Sequence, residues 1–310
     1  MATESKSFPL ELQSGTKRHY SQAATVIADY WSLTKPEVNL LVAVTVAVAF
    51  SLASTKDFHR FPVLALLNVL LGTFLIAGGS GALNQYIERD FDARMRRTSR
   101  RPLAAGKLEP VAAFCFGLLL SVTGALYLAI AVNALAAFLA VLASTTYLFV
   151  YTPLKRTTPL CTLVGAFSGA VPPLIGWAAA AGRLSFEAWV LYSFLFLWQF
   201  PHFMAIAWMY REDYARAGYH ILPGGSTRPS FMTWQTLLPL TIAIPVSMIP
   251  TLLGYAGWIY ASGAFLLSCL FLCCGVKLAI TRTNCAARRL LFASIAYLPA
   301  VFVLLMLARR

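Results

Sequence analysis

Charged residues are scarce in this sequence. Only 12% of its 310 residues are Asp, Glu, Lys or Arg, where soluble domains carry roughly 25%. A further 59% are hydrophobic, and the mean hydropathy is +0.69. A water-soluble fold of this length would lack polar residues to face its solvent, which excludes an ordinary cytosolic enzyme, a disordered chain and a nucleic-acid-binding domain. Acidic residues are the rarer sign, 12 against 25 basic ones, for a net charge of +13. In so apolar a chain that excess reads as the cytoplasmic edge of a membrane bundle, so no nucleic-acid partner is expected. CxxC pairs are absent. Cys115, Cys161, Cys269, Cys273, Cys274 and Cys285 lie mostly inside apolar runs, which leaves neither a disulfide framework nor a zinc site. The first 28 residues hold no short apolar stretch ending in a small-residue cleavage site. We read 1–28 as a mobile polar cytoplasmic tail and 29–310 as one polytopic membrane domain. Strand alternation is missing, and no Walker or dinucleotide-binding glycine motif follows a strand. Ser, His and Asp form no hydrolase pattern, and His19, His59 and His220 have no metal-ligand spacing.

What the sequence has in quantity is apolar runs. Spanning the hydrocarbon takes about 20 mostly apolar residues, and nine segments qualify, near 37–55, 62–87, 111–131, 134–152, 160–181, 185–209, 233–253, 256–279 and 289–307. Backbone polar groups must be satisfied internally in lipid, so the expected fold is an all-α bundle of about nine transmembrane helices. With the N-terminus placed in the cytoplasm, 20 of the 25 basic residues fall on the inner side, as the positive-inside rule requires. The expected location is the bacterial inner (plasma) membrane. Turns are expected at Asn133 and over Gly254–Trp258, and Pro172–Pro173 reads as a helix break, either lining a cavity or kinking between packed helices.

Two polar clusters end apolar segments on the same side. In the first, Asn84, Glu88 and Asp92 are spaced i, i+4, i+8, which on a helix stacks them along one stripe rising about 12 Å. Asp90 would point away. Hard oxygen donors on one face suit Mg²⁺ held together with substrate phosphates, and the neighbouring Arg89, Arg94, Arg97 and Arg101 suit a polyanion. The second cluster holds Arg211, Glu212, Asp213 and Arg216, and a short loop between the two carries Lys155 and Arg156. Each reads either as part of a metal–diphosphate clamp or as a salt-bridged interface cap. His202, beside Pro201 in an apolar segment, reads as a haem ligand or contact, a proton shuttle, or a donor to carbonyls freed by the proline.

Leu33-Thr-Lys-Pro36, Asn84 through Asp92 with Met95 through Gly106, Tyr151 through Arg156, Pro172 through Trp177, Trp198-Gln-Phe-Pro-His-Phe203, and Asp213 through Gly218 with Leu222-Pro223 run in one order along the chain. On these stretches the chain resembles the UbiA-type intramembrane prenyltransferase superfamily. The Arg-Thr…Arg-Pro-Leu stretch and Trp198–Phe203 are similar to its haem-farnesylating branch. The resemblance implies nine helices around a central cavity. It implies Asn84, Glu88, Asp92 and Asp213 as Mg²⁺-binding catalytic groups, and Arg89, Arg94, Arg97, Arg101, Lys155, Arg156 and Arg211 around the diphosphate. It implies farnesyl diphosphate and haem b as substrates and haem O as product, with His202 on the haem side. A haem A synthase or cytochrome oxidase assembly partner would receive the product. Two departures stand out: Met209 and Ala217 flank Asp213 where a second acid is expected four residues away, and Cys161-Thr162 replaces an expected Asn. The rival readings are alkylation of an aromatic quinone precursor, an ion-coupled transporter, and a structural assembly factor. The transporter would need charged residues in the outer half, where this chain has almost none.

Overall fold

Helices whose apolar side chains face outward all round cannot be stable in water, and that is how this chain is built. The computed structural model describes residues 14–54, 58–222 and 229–309. The elements are α1 (Ser14–Leu33), α2 (Pro36–Ala53), α3 (Val63–Asp92), α4 (Pro110–Ala131), α5 (Ala134–Thr145), α6 (Thr152–Leu154), α7 (Cys161–Gly169), α8 (Pro172–Ala181), α9 (Phe186–Met209), α10 (Arg211–Ala217), α11 (Pro229–Leu252), α12 (Trp258–Thr281) and α13 (Asn284–Leu307). Among the described residues nine helical runs are long and apolar enough to cross a membrane, and there is no β-strand beyond one isolated bridge. Ile130, Ile259 and Leu307 are 85%, 82% and 81% exposed. Side chains of this kind in that number belong against lipid, and the chain is a multi-pass integral membrane protein.

The nine runs agree with those read from hydropathy. The boundary expected at residues 28 and 29 falls inside α1, and residues 1–13 of the expected tail lie outside the described residues. Pro223, Arg228, Lys6, Lys56 and Arg310, used in the motif and topology readings, are also outside them. The second span continues as one 30-residue helix through the acidic cluster to Asp92, so the i, i+4, i+8 stripe is helical. The fifth span breaks where the two prolines stand: α7 stops at Gly169 and α8 restarts at Pro172. Gln199 of α9 fills the notch, donating to the carbonyls of Ala166 at 3.1 Å and Leu195 at 3.0 Å. A Cβ on Gly169 would overlap the Gln199 amide. The fourth span also departs from an α-helix, running as a π-helix over Thr146–Tyr151.

Asn133 makes the tight turn between α4 and α5 by capping: its Oδ1 accepts from Ala136 N at 2.8 Å. The Gly254 turn between α11 and α12 has φ +80°, a conformation that suits glycine. The ninth span packs on α9 and α12, and Arg309 just beyond it donates to the carbonyls of Ser51 (2.8 Å) and Ser54 (2.7 Å) at the end of α2.

Helices α3 and α4 share the most extensive contact, and small residues remove side chains from their crossing. A Cβ on Gly124 would lie 2.5 Å from Ile76 N and 2.9 Å from Gly72 O, against backbone that cannot rotate away. Gly124→Leu is therefore expected to force the two helices apart and destabilise the protein by several kcal/mol, of the order seen for severe overpacking. Thermal unfolding in detergent, compared with Leu118→Ala on the exposed side of the same helix, checks this.

Candidate active site

Residues Asn84, Glu88 and Asp92 are all buried on one face of α3. Each meets a cation delivered by a different part of the chain. Lys35 Nζ donates to Asn84 Oδ1 at 2.6 Å. Lys155 Nζ donates to both oxygens of Glu88 at 2.8 and 3.1 Å. Arg101 Nη1 donates to Asp92 Oδ2 at 2.7 Å. Asp213 of α10, also buried, repeats the pattern: it accepts from the backbone N of Arg97 at 3.1 Å and from Arg216 Nη1 at 3.0 Å. The Arg97 contact joins the two acidic clusters.

Lys35 sits between α1 and α2 with φ 52° and ψ 62°, a left-handed conformation rare outside glycine and disfavoured before proline. Strain of this sort costs about 1–3 kcal/mol and persists where surrounding structure holds it. Here Nζ is held by Asn84 and, at 3.2 Å, by the Tyr147 hydroxyl. Burial, then the positive charge of Arg101, pull the Lys35 ammonium pKa down to about 7. Burial would lower Lys155 too, but the Glu88 carboxylate outweighs it and raises the pKa above the ordinary lysine value. The Asn84 amide is fixed from its other side, donating to Thr152 Oγ1 at 3.0 Å, and Thr152 Oγ1 donates to the Tyr147 carbonyl at 2.9 Å. The π-helix thus turns Tyr147 and Tyr151 inward, stacked with centroids 5.6 Å apart.

Most of these groups, though not Asp213, Arg216 or Thr152, line a cavity of about 610 Å³, within the range of small-molecule sites. Asn84, Glu88, Asp92, Arg97, Arg101, Lys35 and Lys155 border it. Tyr219 also borders it, because the chain after α10 folds back and His220 N donates to the Lys155 carbonyl at 2.8 Å. Trp198, Gln199, His202, Phe203 and Ile295 border the same cavity. A narrower space of about 250 Å³ opens between α2, α3, α5 and α8, walled by Val42, Thr73, Ile76, Ala140, Ala143 and Ile175. Both spaces share Lys35, Val38, Tyr147, Ser168 and Gly169, so the break after α7 lies at their junction.

The structure divides the expected diphosphate residues into two groups. Arg97, Arg101 and Lys155 border the cavity. Arg89, Arg94, Arg156 and Arg211 do not. Arg89 lies over Tyr86 and donates to its carbonyl at 2.8 Å, and Arg94 lies over Phe91. Arg156 stacks on Phe91 at 3.8 Å, and Arg211 donates to the Trp208 carbonyl at 2.9 Å. All four cap helix ends or rings at the interface. Glu212 is solvent-exposed, and Asp213, though buried, is paired with Arg216 and the Arg97 backbone and does not itself border the cavity. Asp90 points away from the stripe and is exposed. Cys161 and Thr162, where an Asn was expected, border the cavity, with Thr162 Oγ1 3.3 Å from Gln235 Oε1. His202 bonds a side chain rather than carbonyls freed by Pro201: its Nδ1 is 2.8 Å from Ser294 Oγ.

Lys35, Tyr147, Thr152, Tyr219 and Ser294 join the site only in the folded chain. For Lys35 a sequence signal existed, a lysine fixed between a helix end and Pro36. The others are ordinary helix or loop residues until the fold brings them in.

Among the described residues no three His, Cys, Asp or Glu side chains gather closely enough to hold a metal alone. The donor set still fits Mg²⁺, because an amide oxygen and buried carboxylates are hard ligands, and this ion completes its shell with water and substrate phosphate. The surrounding lysines and arginines are the groups that accept those phosphates.

The UbiA prenyltransferase family profile matches residues 41–298. A protoheme IX farnesyltransferase from Solibacter usitatus (strain Ellin6076) is 45% identical over 287 residues, covering 91% of this chain and 98% of that protein. One from Salinibacter ruber (strain DSM 13855 / M31) is 42% identical, covering 90% and 97%. Among solved structures, a digeranylgeranylglyceryl phosphate synthase superposes with a TM-score of 0.73 at 17% identity, covering 91% of this chain and 98% of that one. A UbiA homologue from Archaeoglobus fulgidus bound to GPP and Mg²⁺ superposes with a TM-score of 0.63 at 15% identity, covering 90% and 99%. These last two are likenesses of fold.

Proposed function

This chain belongs to the UbiA prenyltransferase family, and from that premise we propose that it farnesylates haem b. The reaction joins C1 of farnesyl diphosphate to a vinyl carbon of haem b. The allylic C–O bond breaks, diphosphate leaves with the electron pair, and the vinyl π electrons form the new C–C bond. Water adds to the resulting cation beside the porphyrin ring and loses a proton, giving the hydroxyethylfarnesyl group of haem O. The names of the relatives support these substrates. The single observation that carries the reading is one cavity bordered both by a cation-paired acidic stripe and by Trp198, His202 and Phe203.

When bound by Asn84, Glu88, Asp92 and Asp213, Mg²⁺ supplies charge neutralisation for the departing diphosphate. Lys35, Lys155, Arg97 and Arg101 supply the rest: they exchange protein oxygens for phosphate oxygens without reorganising a solvent shell. The faces of Tyr147 and Tyr151, beside Lys35 and Lys155, stabilise positive charge spread over the allyl unit. The isoprenoid tail occupies the narrow space between α2, α3, α5 and α8, which excludes water from the allyl cation. The acidic end faces the cytoplasm of a bacterial inner membrane, as the basic-residue bias supports. Labelling of Ser99→Cys, with the native cysteines replaced, is expected only from the cytoplasmic side.

Expression in a strain lacking its own haem-farnesylating enzyme is expected to yield haem O, detected by mass spectrometry of extracted haems. Chelation of divalent ions in isolated membranes should abolish its formation. An unchanged haem b pool, or a prenylated aromatic product instead, would overturn the assignment. The tail placement has its own check. Ala143→Phe fills the narrow space and is expected to lower turnover of farnesyl diphosphate about 10-fold while sparing geranyl diphosphate, the scale of discrimination that pocket volume supplies.

A further inference from the structure

The farnesyl-transfer reading leaves one buried hydrogen-bond chain unused, and the role assigned to that chain rests on that reading. His202 Nδ1 lies 2.8 Å from Ser294 Oγ, and Ser294 Oγ lies 2.6 Å from the carbonyl oxygen of Leu291. A carbonyl oxygen only accepts, so the single hydroxyl proton of Ser294 points at Leu291. Ser294 Oγ must then accept from His202, and the ring is the Nδ1–H tautomer with a bare lone pair on Nε2. Among the described residues Nε2 has no hydrogen-bond partner, while the imidazole borders the large cavity.

The ring is also held in orientation. Trp198 stacks on it with centroids 4.7 Å apart and planes 24° apart. Trp198 is fixed by the same residue of α13, its Nε1 donating to the Ser294 carbonyl at 2.7 Å. One fully buried serine therefore anchors both Trp198 and His202 of α9. A histidine kept only for packing gains nothing from a bare nitrogen at a cavity wall. An imidazole that donates one N–H to a fixed acceptor and presents its other nitrogen to open space has the arrangement of a metal ligand. The metal this cavity would receive is the iron of the porphyrin substrate.

We infer that Ser294 is a positioning residue that holds His202 in the Nδ1–H tautomer, so that Nε2 ligates the iron of the substrate haem and sets the porphyrin against α9. The test uses the full chain in lipid nanodiscs, titrated with ferrous haem b and read by resonance Raman and Soret absorption, with haem O measured on the same samples. The parent protein is expected to show an iron–imidazole stretch. His202→Ala should lose it and bind haem at least about 10-fold more weakly, and free imidazole should restore the band. Ser294→Ala keeps the histidine but should shift the band and weaken binding by about 10-fold, with Ser294→Thr returning both toward the parent. An unchanged band in His202→Ala, or Ser294→Ala matching the parent in band and affinity, overturns the inference. If His202→Ala does not fold, the Ser294 pair decides alone. A parent that makes haem O without an iron–imidazole band overturns this inference and leaves farnesyl transfer standing. A parent that neither binds haem nor makes haem O removes both.

Discussion

Asp92→Asn is expected to lower haem O formation by about 10²–10³-fold while the protein folds and still binds haem b. The magnitude is that of deleting one preorganised electrostatic partner from a site where charge develops. The substitution is nearly isosteric, and the amide oxygen can still accept from Arg101, which donates to Asp92 at 2.7 Å. What disappears is the negative charge at the end of the α3 stripe, and with it one hard ligand for a divalent ion. The loss should fall on turnover and on apparent Mg²⁺ affinity together, measured by mass spectrometry of haems across a Mg²⁺ titration. Haem affinity should hold steady, since Trp198, His202 and Phe203 are untouched. Activity near the parent level would take Asp92 out of the site.

Breaking the Lys155–Glu88 pair should have the largest effect on stability. Glu88 is buried, Lys155 keeps only 12% of its side chain exposed, and Lys155 grips both Glu88 oxygens. Lys155→Met leaves a buried carboxylate without the cation that hydrogen-bonds it, a loss that costs about 3–5 kcal/mol for a buried pair. The double variant Lys155→Met/Glu88→Gln removes both charges and should recover most of that stability, because uncharged partners need no compensation. It should not recover catalysis, since a phosphate-binding cation and a metal-binding carboxylate are both gone. Unfolding midpoints of the two variants in one detergent, set beside their haem O yields, separate the contributions. Equal stability of the single and double variants would show that Lys155 does not neutralise Glu88 in the folded protein.

The two acidic clusters were legible for different reasons. Asn84, Glu88 and Asp92 lie on one helix, and a fixed 3.6-residue period puts i, i+4 and i+8 on one face wherever the helix goes. Asp213 could be located only on a side of the membrane. Its meeting with Arg97, 116 residues earlier in the chain, depends on how the loop after α3 settles against α10. The seven basic residues gathered around the diphosphate show the limit of charge patterning. Lys155 and Arg101 turn inward, Arg97 borders the cavity from an exposed position over the rings of Tyr210 and Tyr214, and Arg89, Arg94, Arg156 and Arg211 lie on rings or helix-end carbonyls, so one sequence signal serves all these fates. The break at Pro172 was readable, but its place at the junction of two cavities was not, because Gln199 completes it from α9.

Composition and periodicity by themselves determined the solvent, the number of spans and the stripe on α3, since each is a property of residues close in the chain. Tertiary structure alone decided which cation meets which oxygen, that Lys35 reaches Asn84, and that His202 is held by a serine 92 residues away. Those pairings are made between helices, and helix crossing geometry follows from small residues and backbone breaks acting together across the bundle, which no local pattern encodes.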